Sequence, residues 1–399
     1  MTKTYLSINV FDAAIERINY LFDKFNSICV SFSGGKDSTV LLHLASAVAL
    51  QRNRKIHVMF IDWEAQYTAT ITHVAEMMIG HDHIIPTWIC LPISTPNESS
   101  FFDPMFVAWD ELRSAEWVRS MPEHQGVVKS FDHFPFYTYG MTFEEFVPEY
   151  NQWFSEVNGD TAFLIGLRTD ESLNRFRTIK RSKGTRKQFE GKAWSTKVAA
   201  NSYNFYPLYD WHVEDVWAYI GKNNLPYNRI YDLMYLRGIG LHDMRICEPF
   251  SFEARKQLNQ YHYLEPQTWD RLVQRMKGVN FGARHGKSEL FAYQKINKPE
   301  GLTWKEYAEI LLDSLPSPLQ AHYRRRIDVF IGWFKKHRGW SDLKEESDPK
   351  LEAKNLGGSW RMVCRTLLRN DYFCHHLSFS VNKNEYEKMT QLKEKYKDL

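Results

Sequence analysis

The chain is predicted to be an α/β protein, a doubly wound and mostly parallel sheet followed by an α-helical C-terminal region. Three observations predict this. Short apolar runs alternate with amphipathic helical segments from Val10 to about Pro249, a Gly-Gly turn separates the first run from the helix after it, and beyond Pro249 only helical periodicity remains.

The elements follow in order. Over residues 9–25, Val10, Ala13, Ala14, Ile18, Leu21, Phe22 and Phe25 share one helical face. Residues 27–32 read as a short buried strand, broken by Ser33-Gly34-Gly35, and 37–50 as the helix it enters. A second strand over 55–61 ends at Asp62, a helix covers 68–79, a third strand covers 84–91, and a fourth over 161–167 ends at Arg168. Residues 95–150 are aromatic-rich and punctuated by proline, and read as an insertion packed over the sheet. Helical periods then recur over 252–263, 267–277, 303–314 and 318–337, with a charged stretch from Asp342 to Lys354. The expected division is residues 1–250 as the α/β domain with its insertion, and 251–399 as the helical region. In sheets of this kind ligands sit at the carboxyl ends of the strands, where the Ser33–Ser38 turn, Asp62 and Arg168 fall.

Composition narrows the function classes. A chain of 399 residues with 13 Trp can bury large cores without disulfides or structural metals. A net charge of +3 excludes a polycation, so anion binding must come from local patches. The five cysteines are scattered at 29, 90, 247, 364 and 374, with none in Cys-x-x-Cys spacing. That scatter argues for a reducing, cytoplasmic setting and against an iron–sulfur cluster, which needs about four cysteine ligands. Residues 1–11 lack a signal-peptide pattern, and the longest apolar run, near Val40–Leu50, is too short to span a bilayer.

The segment Ser33-Gly34-Gly35-Lys36-Asp37-Ser38 carries the chemistry. Two glycines let the backbone turn tightly beside an anion. The helix that follows presents N–H groups without intrahelical partners and the positive end of its dipole, a ready phosphate site. Ser33 and Ser38 add hydroxyls, Lys36 adds a positive charge, and Asp37 can hold a metal ion or cap the helix. The spacing is not that of a Walker A loop, because Val30 and Asp37 stand where Gly and Ser/Thr are required.

This loop resembles the Ser-Gly-Gly-x-Asp-Ser loop of the PP-loop ATP pyrophosphatase superfamily, and further segments resemble its phosphoadenosine phosphosulfate reductase group. They are Phe60-Ile61-Asp62-Trp63-Glu64, then Gly166-Leu167-Arg168-Thr169-Asp170-Glu171-Ser172. Pro207-Leu208-Tyr209-Asp210-Trp211 follows with Glu214 to Ile220, then Leu225-Pro226-Tyr227-Asn228. The resemblance covers roughly residues 10–250. It implies an adenine nucleotide alpha-hydrolase-like fold and a nucleotide-binding set of Ser31, Ser33, Gly34, Gly35, Lys36, Asp37, Ser38, Asp62, Glu64 and Arg168. Lys36, Asp37 and Arg168 are then the catalytic candidates. ATP or phosphoadenosine phosphosulfate is the implied nucleotide, with Mg²⁺ on Asp37. The competing reading of Arg168 is a surface salt bridge, that of Asp62 and Glu64 an ordinary helix-start carboxylate, and Asp210 reads first as a helix N-cap.

Sequence and resemblance part company over thiols. The group's C-terminal Glu-Cys-Gly-Leu/Ile-His segment is missing, and the one thiol candidate is Cys247, in Arg245-Ile246-Cys247-Glu248-Pro249, against the simpler reading of a buried core cysteine. Arg175 to Lys197 is strongly basic, with Glu190 alone opposing it, and reads as a lid over a polyanionic nucleotide, a nucleic-acid contact or a solvated loop. A second basic set, Arg324 to Arg326 and Lys335 to Arg338, lies on a helical segment whose Tyr323, Trp333 and Phe334 are expected to pack inward. The leading expectation is an enzyme cleaving or transferring at the α–β phosphate of ATP, or acting on a sulfonucleotide. The alternatives are a nucleotide-sensing regulatory or defence component without turnover, and a nucleic-acid-modifying enzyme that uses the basic segments. The partners expected beside the adenine nucleotide are a nucleic acid or a protein, through Arg175–Lys197 and the helical C-terminal region.

Overall fold

The computed structural model describes residues 6–97, 105–180, 188–199, 202–246, 248–250, 258–276, 279, 296, 298–352, 357–369 and 371–379. Among them runs a seven-stranded sheet of order β6-β3-β2-β1-β7-β9-β8. Its strands are β1 (Ser27–Ser31), β2 (Ile56–Ile61), β3 (Ile84–Ile89), β6 (Val127–Val128), β7 (Thr161–Ile165), β8 (Ser195–Ala199) and β9 (Ser202–Phe205). All neighbours pair in parallel except β8 and β9. The doubly wound, mostly parallel α/β class is therefore the observed one. β4 (Ser94–Pro96) and β5 (Met105–Val107) form a separate antiparallel pair.

Successive strand residues point to opposite faces. Cys29, Met59, Ile61, Ile89 and Phe163 join the core formed with Phe146, Tyr150 and Phe154 of α4 (Phe143–Asn158). The opposite face packs α1 (Val10–Lys24) and α2 (Lys36–Gln51), whose Ile18, Leu21, Val40, Leu41 and Leu44 are buried. A parallel sheet covered on both faces needs such continuous apolar strands, which is why β1, β2 and β7 were legible.

Helix α4 begins inside the stretch read as an insertion packed over the sheet and continues past its expected end at residue 150. Its start is a capping box: Thr142 Oγ1 accepts from the Glu145 N–H at 3.3 Å while the Glu145 carboxylate accepts from the Thr142 N–H at 3.0 Å. β8 and β9 lie in the basic stretch and after it. Lys192 stacks on Tyr20 and Lys197 on Tyr203, so the described end of that stretch belongs to the sheet and to α1; residues 181–187 lie outside the described set. Asp210 does not cap α6 (Val213–Lys222). His212 is the N-cap, and Asp210 instead receives both Arg17 nitrogens, at 2.8 and 2.6 Å.

The chain forms two compact units, Met1–Asn97 with Met105–Lys277, and Glu98–Pro104 with Gly278–Leu399. The first holds the sheet and also α8 (Leu258–Leu264) and α9 (Pro266–Arg275). The second holds the helices Trp304–Asp313, Ser317–Arg338 and Trp360–Leu368, around a core of Trp304, Tyr323, Ile327, Phe330, Phe334, Trp360 and Val363. No helix of the described residues is long and apolar enough to cross a membrane.

Candidate functional site

β1 sends its connection toward β2 on one side, while β7 pairs on its other side, so the chain order reverses between β1 and β7. A crevice at such a switch point is where α/β sheets place ligands. Ser31 ends β1 there, and residues 32–35 turn into α2. Gly34 has φ +70°, the left-handed region glycine adopts freely, and an added Cβ would lie 2.9 Å from Thr70 and Val74 side-chain carbons of α3 (Thr68–Met78). Gly35 is the α2 N-cap in extended conformation (φ −84°).

The loop is cross-linked by its own hydroxyls. Ser33 and Ser38 Oγ atoms lie 3.0 Å apart, Ser33 N–H donates to Ser38 Oγ at 3.3 Å, and Ser38 Oγ donates to the Gly35 carbonyl at 3.0 Å. Arg168, carried by the end of β7, pairs with Asp37 through Nε and is itself buried. Gly166 makes this approach possible: a Cβ there would meet the backbone of Asp37 and Ser38 at 3.0–3.1 Å. Lys36 Nζ does not project freely. It donates to the Met244 carbonyl at 3.0 Å and lies 3.3 Å from Asp37 Oδ2.

Residues that the sequence reading quoted without a role, or passed over, hold the loop in place. Asn228 Nδ2 donates to the Gly34 carbonyl at 3.2 Å and to Thr70 Oγ1 at 2.8 Å, fully buried. Tyr231, on α7 (Ile230–Leu236), accepts from the Lys36 N–H at 3.1 Å. Asn228 stood in the quoted Leu-Pro-Tyr-Asn segment; Tyr231 had no signal beyond its nearness to it.

Ser33, Gly34, Gly35, Lys36, Asp37, Ser38 and Arg168 are thus brought together. Asp62 and Glu64 enter a different network. Asp62 pairs with Arg119 and accepts from Trp88 Nε1 at 2.7 Å. Glu64 accepts from Arg275 Nε at 2.8 Å, from Arg275 Nη2 at 3.1 Å, from the Trp109 N–H at 2.8 Å and from the Val118 N–H at 3.1 Å. Glu64 and Arg275 are almost wholly buried, and they fasten the segment 107–118 and α9 to the end of β2.

Mg²⁺ takes most of its ligands from phosphates and water and needs one or two carboxylates. Asp37 fits that part. Its carboxylate is partly exposed at the loop, and an ionised carboxylate retains acceptor sites beyond its contacts with Arg168 and Lys36. Among the described residues no group of three or more His, Cys, Asp or Glu side chains has metal-holding geometry.

Four thiols are described, at Cys29, Cys90, Cys364 and Cys374, and all are buried. Burial pushes Cys29 and Cys90 well above the ordinary thiol range and Cys364 up to about 12, so these three are poor nucleophiles. Cys247 lies outside the described residues.

Behind the loop, Thr39 Oγ1 donates to the Gly35 carbonyl at 2.9 Å and sits 2.8 Å from His73 Nε2. The hydroxyl has one proton and gives it to Gly35, so His73 Nε2–H is the donor to Thr39. Burial lowers the His73 pKa from 6.5 to about 4. The unfolded chain therefore binds a proton that the folded chain refuses, and His73's contribution to stability is full above 6.5 and falls as pH drops toward 4. The expected loss across that window is up to about 3 kcal/mol. In thermal melts at pH 7 and pH 4.5, His73→Gln should lose stability less steeply on acidification than the parent; equal slopes would contradict the assignment.

Residues 27–84 and 129–242 match the phosphoadenosine phosphosulfate reductase domain, and 238–358 match a domain of unknown function, DUF3440. The chain is 40% identical to "Uncharacterized protein YbdN" of Escherichia coli (strain K12), over 96% of its own length and 93% of that protein. It is 37% identical to adenosine 5'-phosphosulfate reductase of Oceanobacillus iheyensis, over 20% of this chain and 28% of that one. Among solved structures, phosphoadenylyl-sulfate (PAPS) reductase from Candida auris is similar at TM-score 0.33 and 16% identity, over 63% of this chain and 99% of that one.

Proposed function

Because the chain belongs to the phosphoadenosine phosphosulfate reductase-like family of PP-loop proteins, we propose that it is an enzyme that binds an adenine nucleotide at Ser33–Ser38 and cleaves or transfers at the bond between its α- and β-phosphates. The observation that carries this reading is the loop's place at the β1/β7 switch point, with Arg168 from the next strand drawn onto Asp37. In it, the N–H groups of α2's first turn beyond Lys36, whose own N–H is taken by Tyr231, and the Ser33 and Ser38 hydroxyls hold the pyrophosphate portion. Arg168 faces the charge that builds on the phosphates. Lys36, fixed beneath the loop, raises the local positive potential without serving as a mobile prong. An acceptor oxygen attacks the α-phosphorus, the new P–O bond forms as the α–β bridge breaks, and pyrophosphate leaves with the electron pair. Mg²⁺ on Asp37 would supply charge neutralisation. Asp62 and Glu64, tied to Arg119 and Arg275, serve in this reading as supports for the loop's surroundings.

ATP and a sulfonucleotide both fit this description, and the sulfonucleotide finds support in the name of the Oceanobacillus relative. Reduction of a sulfonucleotide needs a thiolate, for which Cys247 is the candidate. Incubation with ATP and Mg²⁺ followed by chromatography should give AMP and pyrophosphate. ADP and orthophosphate would overturn the proposal. Cys247→Ser should keep that activity within about threefold, well under the factor of ten that ~1.4 kcal/mol represents. Thioredoxin-dependent sulfite release from phosphoadenosine phosphosulfate, abolished in Cys247→Ser, would replace phosphate chemistry with reduction.

A further inference from the structure

The long helix Ser317–Arg338 of the second unit turns Tyr323, Arg326, Ile327, Phe330 and Phe334 into its core. Its opposite stripe, at helical spacing, is Arg325, Val329, Gly332, Trp333 and Lys336, all exposed. Trp333 was expected to pack inward, yet half of it is open to solvent, and Val329 beside it is 56% exposed. Trp333 lies against His337, with ring centroids 4.9 Å apart. Arg325, Lys335, Lys336 and Arg338 form no ion pair among the described residues, whereas Arg324 is spent on Glu309 and Asp313. Asp328 is the one acidic side chain along the exposed stretch from Arg325 to Arg338.

A basic last turn complements the helix dipole, which accounts for Lys335 to Arg338. It does not account for Arg325, three turns earlier, or for a half-exposed indole. Nor does it account for Gly332. A glycine inside a helix weakens it, and here a Cβ would meet nothing within 4 Å, so internal packing does not require the glycine. What Gly332 does is leave the backbone beside Trp333 uncovered, the arrangement that close approach of a flat ligand needs.

We propose that this face binds single-stranded nucleic acid, with a base stacked on Trp333 over the Gly332 gap and backbone phosphates on Arg325, Lys336 and the last-turn cations. An acidic peptide would satisfy the cations but give the ring and the gap no partner, whereas nucleotides carry planar faces and phosphates together. The inference stands apart from the phosphate loop and does not depend on what that loop binds.

The test uses the full chain and a fluorescein-labelled dodecamer of uridylate, read by anisotropy over a range of salt. Binding should weaken with salt, and Lys335→Glu with Lys336→Glu should weaken it and flatten the salt dependence. Trp333→Ala should weaken oligonucleotide binding about tenfold while leaving inorganic polyphosphate binding within about twofold. Gly332→Leu should weaken oligonucleotide binding comparably while the melting temperature holds or rises, which separates blockage from misfolding. Absence of binding, binding unaffected by these variants, or equal losses for oligonucleotide and polyphosphate with Trp333→Ala would overturn the proposal. Competition by polyglutamate as effective as by unlabelled oligonucleotide would overturn it in favour of an acidic protein partner.

Discussion

Gly35→Val should leave a folded chain that no longer holds an adenine nucleotide. Gly35 sits at φ −84° and ψ 161°, an extended conformation that valine adopts readily, so the backbone has no reason to resist the change. The new Cβ would lie 3.3 Å from Ser33 Oγ, 3.6 Å from Tyr231 Oη and 3.9 Å from Ser38 Oγ. Its methyl groups would then stand among the hydroxyls that line the cradle and displace a phosphate group. The expected loss of affinity by calorimetry is at least about a hundredfold, roughly 2.7 kcal/mol, with a melting temperature near that of the parent. Gly34→Val is the contrasting variant. It places a branched residue at φ +70° and drives it against Thr70 and Val74, so it should cost stability as well as binding. Undiminished affinity in Gly35→Val would remove the loop from the nucleotide site.

Arg275→Met should produce the largest loss of stability of any single replacement considered. The guanidinium is 1% exposed and the Glu64 carboxylate 0% exposed, so removing the cation leaves a buried charge with two backbone N–H donors and no counter-ion. Breaking such a pair costs about 3–5 kcal/mol. For a unit of this size that corresponds to a fall in melting temperature of about 5–10 °C. Glu64→Gln combined with Arg275→Met removes the stranded charge and should recover part of the loss. A fall under about 2 °C in Arg275→Met, or a double variant no better than the single one, would show that the pair is not the fastening described.

The sheet and the Ser33–Ser38 turn were legible because both are local signals. β1, β2, β3 and β7 are apolar runs bounded by turn residues, and Ser33-Gly34-Gly35 stands between a strand and a helix in consecutive sequence. Helix α4 was hidden because Pro148 and its many aromatic side chains blur its period, although Thr142 and Glu145 already carried the start signal. β8 was hidden by its small and polar residues, Ser195, Thr196 and Lys197. The candidate site divided along the same line. Lys36, Asp37 and Ser38 follow from the loop itself. Asp62 and Glu64 were named through the resemblance, and the cations that pair with them stand 57 and 211 residues further on. Pairings of that range leave no mark in a sequence window. The expectation that Trp333 packs inward failed for a related reason. One turn of helix can bury Phe334 and expose its neighbour, and the choice depends on what the opposing helices supply.

The strand order has a consequence for how the protein is made. β1 has its partner β2 within about 30 residues of chain, but its other neighbour, β7, joins Ile28 to Ala162, roughly 130 residues along. Asn228, Tyr231 and Met244, which hold the loop, are translated later still. A ribosome adding about 5–20 residues per second therefore leaves the β1 edge unpaired, and the Ser33–Ser38 turn without its later partners, for several seconds at least. During that interval the exposed strand edge is open to wrong pairing. The nascent chain should acquire nucleotide affinity abruptly, once the Met244 region has left the exit tunnel, and truncations ending before Tyr231 should be caught by chaperones in place of ligand.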